Sequence, residues 1–248
     1  TYSTGFSQCD STFTEFQQFE DLEDQLMVMW SEDTNNQFSW IINSGGTPSN
    51  NTGPSSAYAG SYYIYTETSG TGTNQVGIIN SECLSFPSNS SPYISFYLHM
   101  YENVSQTTAQ SMGYLQLQVN TNPTSGNTWT TLATYNTSAN AWLEKYVDLS
   151  SYAGSTIKLR FRAVTGSTGT FNQWYAYGDR ALDNIIVSTG VNTVDASCPG
   201  SADGEASAVG AFNGWGNGLY TYAWNTGDTS QSISGLTAGN YTCTITDT

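Results

Sequence analysis

Lys158, Arg160 and Arg162 stand at alternate positions of one stretch, so on an extended chain all three cations share a face. They are most of the basic inventory: the 248 residues hold 5 Lys plus Arg against 20 Asp plus Glu, a formal charge of −15. The stripe has two readings. Either carboxylates on neighbouring strands pair with it, which is the expected use of a solvated face, or it takes an anionic ligand such as a sulfated or uronic polysaccharide. In the second case Gln116, Gln118 and a stacking Tyr97 or Tyr101 would share the face, and Trp174 and Tyr175, in the aromatic loop before Gly178, would be either a sugar platform or a partly buried staple. Catalytic chemistry has less to work with. A single histidine, His99, rules out His-rich zinc sites, and its place on the polar side of its segment fits a structural role rather than a general base. No Gly-x-Ser-x-Gly elbow or phosphate-cradling glycine loop is present, and nothing marks one carboxylate pair for glycosidase work. No catalytic residue is assigned, and the chain is not expected to be an enzyme.

No Lys or Arg precedes Lys145. A surface this acidic repels phosphate backbones and anionic lipids, which argues against nucleic acid as a partner. No apolar run reaches the roughly 18 residues of a membrane span, so membrane insertion is not expected. Cys9 and Cys83 lie early, Cys198 and Cys243 late, and none forms the close pair of a zinc or redox site. Disulfides in an oxidising compartment are the natural use of such cysteines. Four cysteines allow three connectivities; Cys9 with Cys83 and Cys198 with Cys243 is preferred because each pair then stays within one expected domain.

The elements that must position these residues are strands. Period-two alternation recurs between Gly, Asn, Ser and Pro punctuation, and no helical periodicity lasts three turns. From Pro92 to Tyr101, Ile94, Phe96, Leu98 and Met100 alternate with Tyr93, Tyr97, His99 and Tyr101; Leu115, Leu117 and Val119 alternate with Tyr114, Gln116 and Gln118; Ile157, Leu159, Phe161 and Ala163 alternate with the three cations. Further strands are expected near Phe16–Glu20, Ser61–Thr66, Gln75–Ile79, Thr128–Tyr135, Trp142–Leu149 and Ala181–Ser188. One-sided patterning repeated about ten times implies two sheets packed face to face, an all-β jelly-roll sandwich. The rhythm pauses at Thr189–Thr193, and a shorter one follows from Cys198. The domains are therefore read as 1–190 and 191–248, the second being small enough for a disulfide staple to matter.

Ordered landmarks over the first 188 residues resemble a MAM domain, the module named for meprin, the A5 antigen and a receptor tyrosine phosphatase. They are Phe19-Glu20-Asp21, Trp40, Thr52-Gly53-Pro54-Ser55, the stretch from Gly60 to Glu67, the stretch from Ile94 to Tyr101, and Gly178-Asp179-Arg180-Ala181-Leu182-Asp183-Asn184-Ile185. The same opening and ending resemble bacterial cleaved-adhesin jelly rolls. Asn184 stands where the family has a second Asp, and the family's four cysteines are not all present. The resemblance implies a structural calcium ion on Glu20 and Asp183, with Asp21 and Ser61 near them in the motif; oxygen-only ligands at that count suit calcium. The bland alternative is that the two acids cap a sheet edge or pair with Arg180.

Cys198-Pro199-Gly200-Ser201-Ala202-Asp203-Gly204, Tyr220–Asn225, Ile233–Tyr241 and Ile245-Thr246-Asp247 resemble an SprB-type repeat, a small immunoglobulin-like β-sandwich of secreted and cell-surface proteins of Bacteroidota. Together the two resemblances imply a non-catalytic adhesion or binding pair from a larger secreted or cell-surface bacterial protein. Its partner would be a protein or a polysaccharide, with a homodimer as a further option. The alternatives are a carbohydrate-binding module serving an attached hydrolase and a structural spacer.

Overall fold

The computed structural model describes residues 30–49, 52–68, 70–88, 90–102, 112–124, 126–166, 178–188, 191–194, 196–198, 200–208 and 220–247. The described residues are all-β apart from one 3₁₀ turn at Ser150–Tyr152. Two antiparallel sheets make the large unit. The first runs β1(Trp30–Glu32), β4(Val76–Ser81), β10(Thr156–Val164), β7(Tyr114–Asn120), β8(Thr130–Tyr135), with β5(Leu84–Ser85) also paired to β10. The second runs β2(Trp40–Asn43), β3(Tyr63–Thr66), β11(Asp179–Ser188), β6(Tyr93–Tyr101), β9(Ala139–Asp148).

The alternation read from the sequence explains the packing. Leu115, Leu117, Val119, Ile157, Leu159, Phe161 and Ala163 from the first sheet meet Ile94, Phe96, Leu98, Met100, Leu182, Ile185 and Val187 from the second in one core. Aromatic edges fill it: Phe96 and Phe161 meet edge to face across the sandwich at 4.9 Å, and Trp30 lies 5.1 Å from Phe161. The strands expected near 61–66, 75–79, 92–101, 113–120, 128–135, 142–149, 156–164 and 181–188 all form, with small shifts of their ends. The one expected at Phe16–Glu20 lies outside the described residues. β1, β2, β5(Leu84–Ser85) and β12(Val191–Val194), the last inside the expected pause, were not foreseen, being too short for alternation to register.

One expectation fails in an informative way. β3 and β11 do not have a buried and a polar face; Tyr63 to Thr66 and Asp179 to Asp183 are buried throughout. The connection from β2 to β3 lies over their outer side, where Tyr63, Tyr65 and Ala181 form a second cluster with Ala57 and Trp142. The Trp142 indole N–H closes it by donating to the Ser56 carbonyl at 3.1 Å.

From residue 191 onward the strands pair among themselves. β12(Val191–Val194), β13(Gly204–Ala208) and β15(Ser232–Leu236) form one sheet, β14(Tyr220–Trp224) and β16(Cys243–Asp247) another. Ala206, Ala208, Trp224 and Ile233 are their core. The expected Cys198–Cys243 bridge is absent, and both are free thiols. Cys198 sits exposed in the turn before β13, hydrogen-bonded to Ser201 at 2.8 Å, whereas Cys243 opens β16 opposite Trp224. Cys83 is buried and disulfide-bonded; Cys9, its expected partner, lies outside the described residues.

Candidate functional site

β10 is the middle strand of the first sheet, and its alternation turns Ile157, Leu159, Phe161 and Ala163 inward and Lys158, Arg160 and Arg162 outward. Register then decides their neighbours. On β7, Asn120 stands opposite Lys158, Gln118 opposite Arg160 and Gln116 opposite Arg162; on β4, Asn80 and Ile78 stand opposite Arg160 and Arg162. Among the described residues no carboxylate stands in register with the stripe, so the expected salt-paired face does not form there.

The stripe is held by neutral groups instead. Arg160 Nε donates to Gln118 Oε1 at 2.7 Å, and its guanidinium lies 4.2 Å from the Trp129 ring centroid. Arg162 Nη1 donates to the Tyr114 hydroxyl at 3.2 Å and to Gln116 Oε1 at 3.3 Å. The glutamines are themselves fixed: Gln118 Nε2 donates to Gln116 Oε1 at 3.2 Å and to Thr131 Oγ1 at 2.9 Å. Trp129 is steadied by an N–H bond to Asn127 Oδ1 at 2.9 Å. Burial first and then Arg162 pull the Arg160 guanidinium down to about 10, with Asp33 opposing them. Asp33 is occupied elsewhere, accepting from Asn35 at 2.9 and 3.1 Å and from Asn80 at 3.3 Å. The face therefore offers oriented N–H donors, amide groups and an indole ring, which is the chemistry of binding a polar ligand.

The other expected site residues separate. Tyr97 is on β6, in the opposite sheet, stacked on Tyr58 at 3.4 Å; Tyr101 is on the same strand, so neither shares a face with Arg160. Trp174, Tyr175, Glu20 and Asp21 lie outside the described residues. Trp129, which a sequence reading passed over, is the ring that stacks on Arg160. It lies at the start of the strand expected from Thr128, but only the β7–β8 register brings it beside β10, and the sequence does not carry that register.

Asp183 is 5% exposed on the outer side of β11. Its Oδ2 accepts the backbone N–H of Tyr58 at 2.7 Å and Ala59 at 3.1 Å, and its Oδ1 accepts that of Asn184 at 2.7 Å. Asn184 takes φ 48° at the bulge between Asp183 and Ile186, a conformation asparagine tolerates. Burial pushes the Asp183 carboxyl up to about 6 in spite of these three N–H bonds. A carboxylate has about four acceptor sites, so one remains on Oδ1 for a cation. Ser61 is exposed just before β3. Among the described residues no group of three or more metal-binding side chains forms. Arg180 is not an edge partner for Asp183: β11 is a central strand and Arg180 points into the core, wholly buried.

At the start of the same strand, Asp179 Oδ2 accepts the Thr52 hydroxyl at 2.8 Å. Burial and then Glu67 raise its carboxyl above the ordinary value. The two aspartates thus anchor the β2–β3 connection at two points. His99 is 3% exposed beneath Trp142, with Nε2 paired to Asn140 Oδ1 at 3.2 Å and Nδ1 buried without a hydrogen-bond partner.

A family model described as MAM domain, meprin/A5/mu, matches residues 18–191. Among solved structures, the K1 cleaved adhesin domain of Lys-gingipain from Porphyromonas gingivalis W83 is 16% identical, covering 71% of this chain and 99% of that one at a TM-score of 0.46. The CBM22-1 xylan-binding domain from Paenibacillus barcinonensis Xyn10C is 14% identical, covering 67% and 88% at 0.41. TmCBM61, solved with β-1,4-galactotriose, is 12% identical, covering 64% and 88% at 0.39.

Proposed function

This chain belongs to the MAM domain family, and from that premise we propose that it is a non-catalytic extracellular binding module whose ligand lies on the outer face of β10 and β7. One contrast carries the choice of face. The outer side of the second sheet is roofed by the β2–β3 connection and Trp142. On the first sheet, Lys158, Arg160 and Arg162 keep part of their surface in solvent, beside an indole and two oriented amides. A sheet face carrying donors and a ring binds polar chains by hydrogen bonding and stacking.

Within this proposal, residues 191–248 are a repeat of SprB type that spaces the binding unit from the rest of a secreted or cell-surface bacterial protein. Its two small sheets around Trp224 support that reading. Calcium also belongs to the proposal, with Glu20 and Asp21 completing a set around the free acceptor site of Asp183. Bound there, the ion would contribute charge neutralisation and cross-linking of the fold.

The test is affinity electrophoresis through gels carrying xylan, β-1,4-galactan or polygalacturonate. At least one polysaccharide is expected to retard the chain, no new reducing ends should appear, and Trp129→Ala should remove the retardation. Retardation that survives both Trp129→Ala and Arg160→Gln would assign binding to another face and overturn the reading.

A further inference from the structure

We propose that the ligand of the β10 face is an acidic polysaccharide, whose carboxylate or sulfate groups sit on Arg160 and Arg162; the inference rests on the binding face argued above. A chain with four acids for every base places three of its five cations on one strand, and register gives them only neutral cross-strand neighbours. The nearest acid that Arg160 feels, Asp33, is already hydrogen-bonded to Asn35 and Asn80. Among the described residues, then, Asp33 acts on Arg160 only at a distance and no acid is hydrogen-bonded to the stripe, which leaves its cations open to an anion from outside.

The geometry of Arg160 states what that counter-charge looks like. Its Nε is committed to Gln118 and one face of its guanidinium to Trp129, while among the described residues Nη1 and Nη2 make no hydrogen bond. A guanidinium fixed by a stack and an amide, with its outer fork unused, is prepared for the two-pronged recognition of a carboxylate or sulfate. Such preorganisation lowers the entropy lost on binding. Arg162 keeps Nε and Nη2 free in the same way. Residues two apart on a strand are roughly 6.7 Å apart, so the three cations form a straight line of about 13 Å. A polymer with an acid on successive sugars can follow that line with a ring against Trp129, whereas a single free anion meets one cation only. The like charges of Arg160 and Arg162 repel each other, and anions placed along the line relieve that repulsion. The net charge of −15 over the whole chain disfavours a wide phosphate duplex or a bilayer, which would need cations well beyond the stripe.

The experiment titrates the full chain with polygalacturonate, dextran sulfate, neutral xylan and single-stranded poly(dT), by calorimetry at about 50 and about 200 mM NaCl. Binding is expected for polygalacturonate or dextran sulfate, and which of the two is tighter identifies the anion as carboxylate or sulfate ester. Affinity should fall several-fold with the added salt and about tenfold or more in Arg160→Gln and Arg162→Gln, with Arg160→Lys in between because it keeps the charge and loses the fork. Lys158, Arg160 and Arg162 are each partly exposed; equal melting temperatures for the variants will confirm that the fold is intact, and Lys158→Gln supplies a second, peripheral reduction of charge. Xylan binding that is lost in Trp129→Ala but untouched in the arginine variants would overturn the acidic assignment and leave the binding face standing. Binding of poly(dT) as tight as that of the acidic glycans would overturn the polysaccharide class. Acidic binding unchanged in every variant would overturn both readings.

Discussion

Arg180 brings a full charge into the interior of the sandwich. Its Nη2 donates to the carbonyls of Met112 and Val164, the latter at 2.9 Å, so a side chain rooted in one sheet ends on the backbone of the other. Burial, against the pull of Asp179 and Glu102, brings its guanidinium down to about 10. The approach requires Gly113, at φ 80°, because a Cβ there would run into Val164 O and stand 2.7 Å from Arg180 Nη2. His99 is the residue whose burial has a pH signature. Burial lowers its pKa below 6.5, the Asn140 bond opposing. In the window just below that value the unfolded chain binds more protons than the folded one, so the folded state loses stability as pH falls and recovers it as pH rises. Melting curves from about pH 7 to about pH 5 are therefore expected to fall more steeply for the wild type than for His99→Gln. Comparing the two cancels the opposite contribution of Asp183, whose raised pKa favours the folded state at low pH. Equal slopes would show that His99 titrates in the fold as it does in a peptide.

At the scale of elements, β11 does the work of a clamp. Inward it supplies Leu182, Ile185 and Val187 to the core; outward, Asp179 and Asp183 hold Thr52, Tyr58 and Ala59 of the β2–β3 connection. Removing the Asp183 carboxylate leaves three backbone N–H groups without that acceptor, and each costs about 1–3 kcal/mol where water cannot replace it. Asp183→Ala should thus lower the melting temperature clearly, whatever ion is present. Calcium adds a separate arm: on metal-stripped protein, a hundredfold excess over Kd should stabilise by about 2.7 kcal/mol. Asp183→Ala should lose that response and Asp203→Ala should keep it. A melting temperature indifferent to calcium would leave Asp183 as a loop anchor alone. The alternation of β11 was readable from its residues, but the roof over it was not, since nothing local marks a Ser- and Gly-rich connection as the cover of a sheet.

For the whole molecule, the small unit from residue 191 stands on its own sheets and on a core centred on Trp224, whose indole N–H donates to Ser230 O at 2.8 Å. Here the free thiols replace the staple expected of so small a fold. Alkylation of unreduced protein, read by mass spectrometry, should label Cys198 first, Cys243 more slowly and Cys83 not at all. Cys198 is exposed, and hydrogen bonds from Ser201 and then Ser197 hold its thiol below the ordinary value, which raises its thiolate fraction; burial does the reverse for Cys243. Failure to label Cys198 and Cys243 would restore the bridge read from spacing.

What the amino-acid sequence determined alone was local and periodic. The two-residue alternation of β6, β7 and β10 specifies strands, the inward set of each and the shared face of Lys158, Arg160 and Arg162, because a pleated chain permits no other arrangement. The ordered landmarks from Phe19 to Ile185 were enough to place the family. What only the tertiary structure decided depends on pairing between distant strands. Register put glutamines rather than carboxylates beside the arginines, and sent Tyr97 to the opposite sheet. Trp129, in the segment expected as a strand from Thr128 but just before β8, reached Arg160 across the sheet, and backbone donors from Tyr58 and Ala59 came to Asp183 across more than a hundred residues. Partners separated so far in sequence are chosen by which sheets stack and which loops close, and no window of neighbouring residues carries that information.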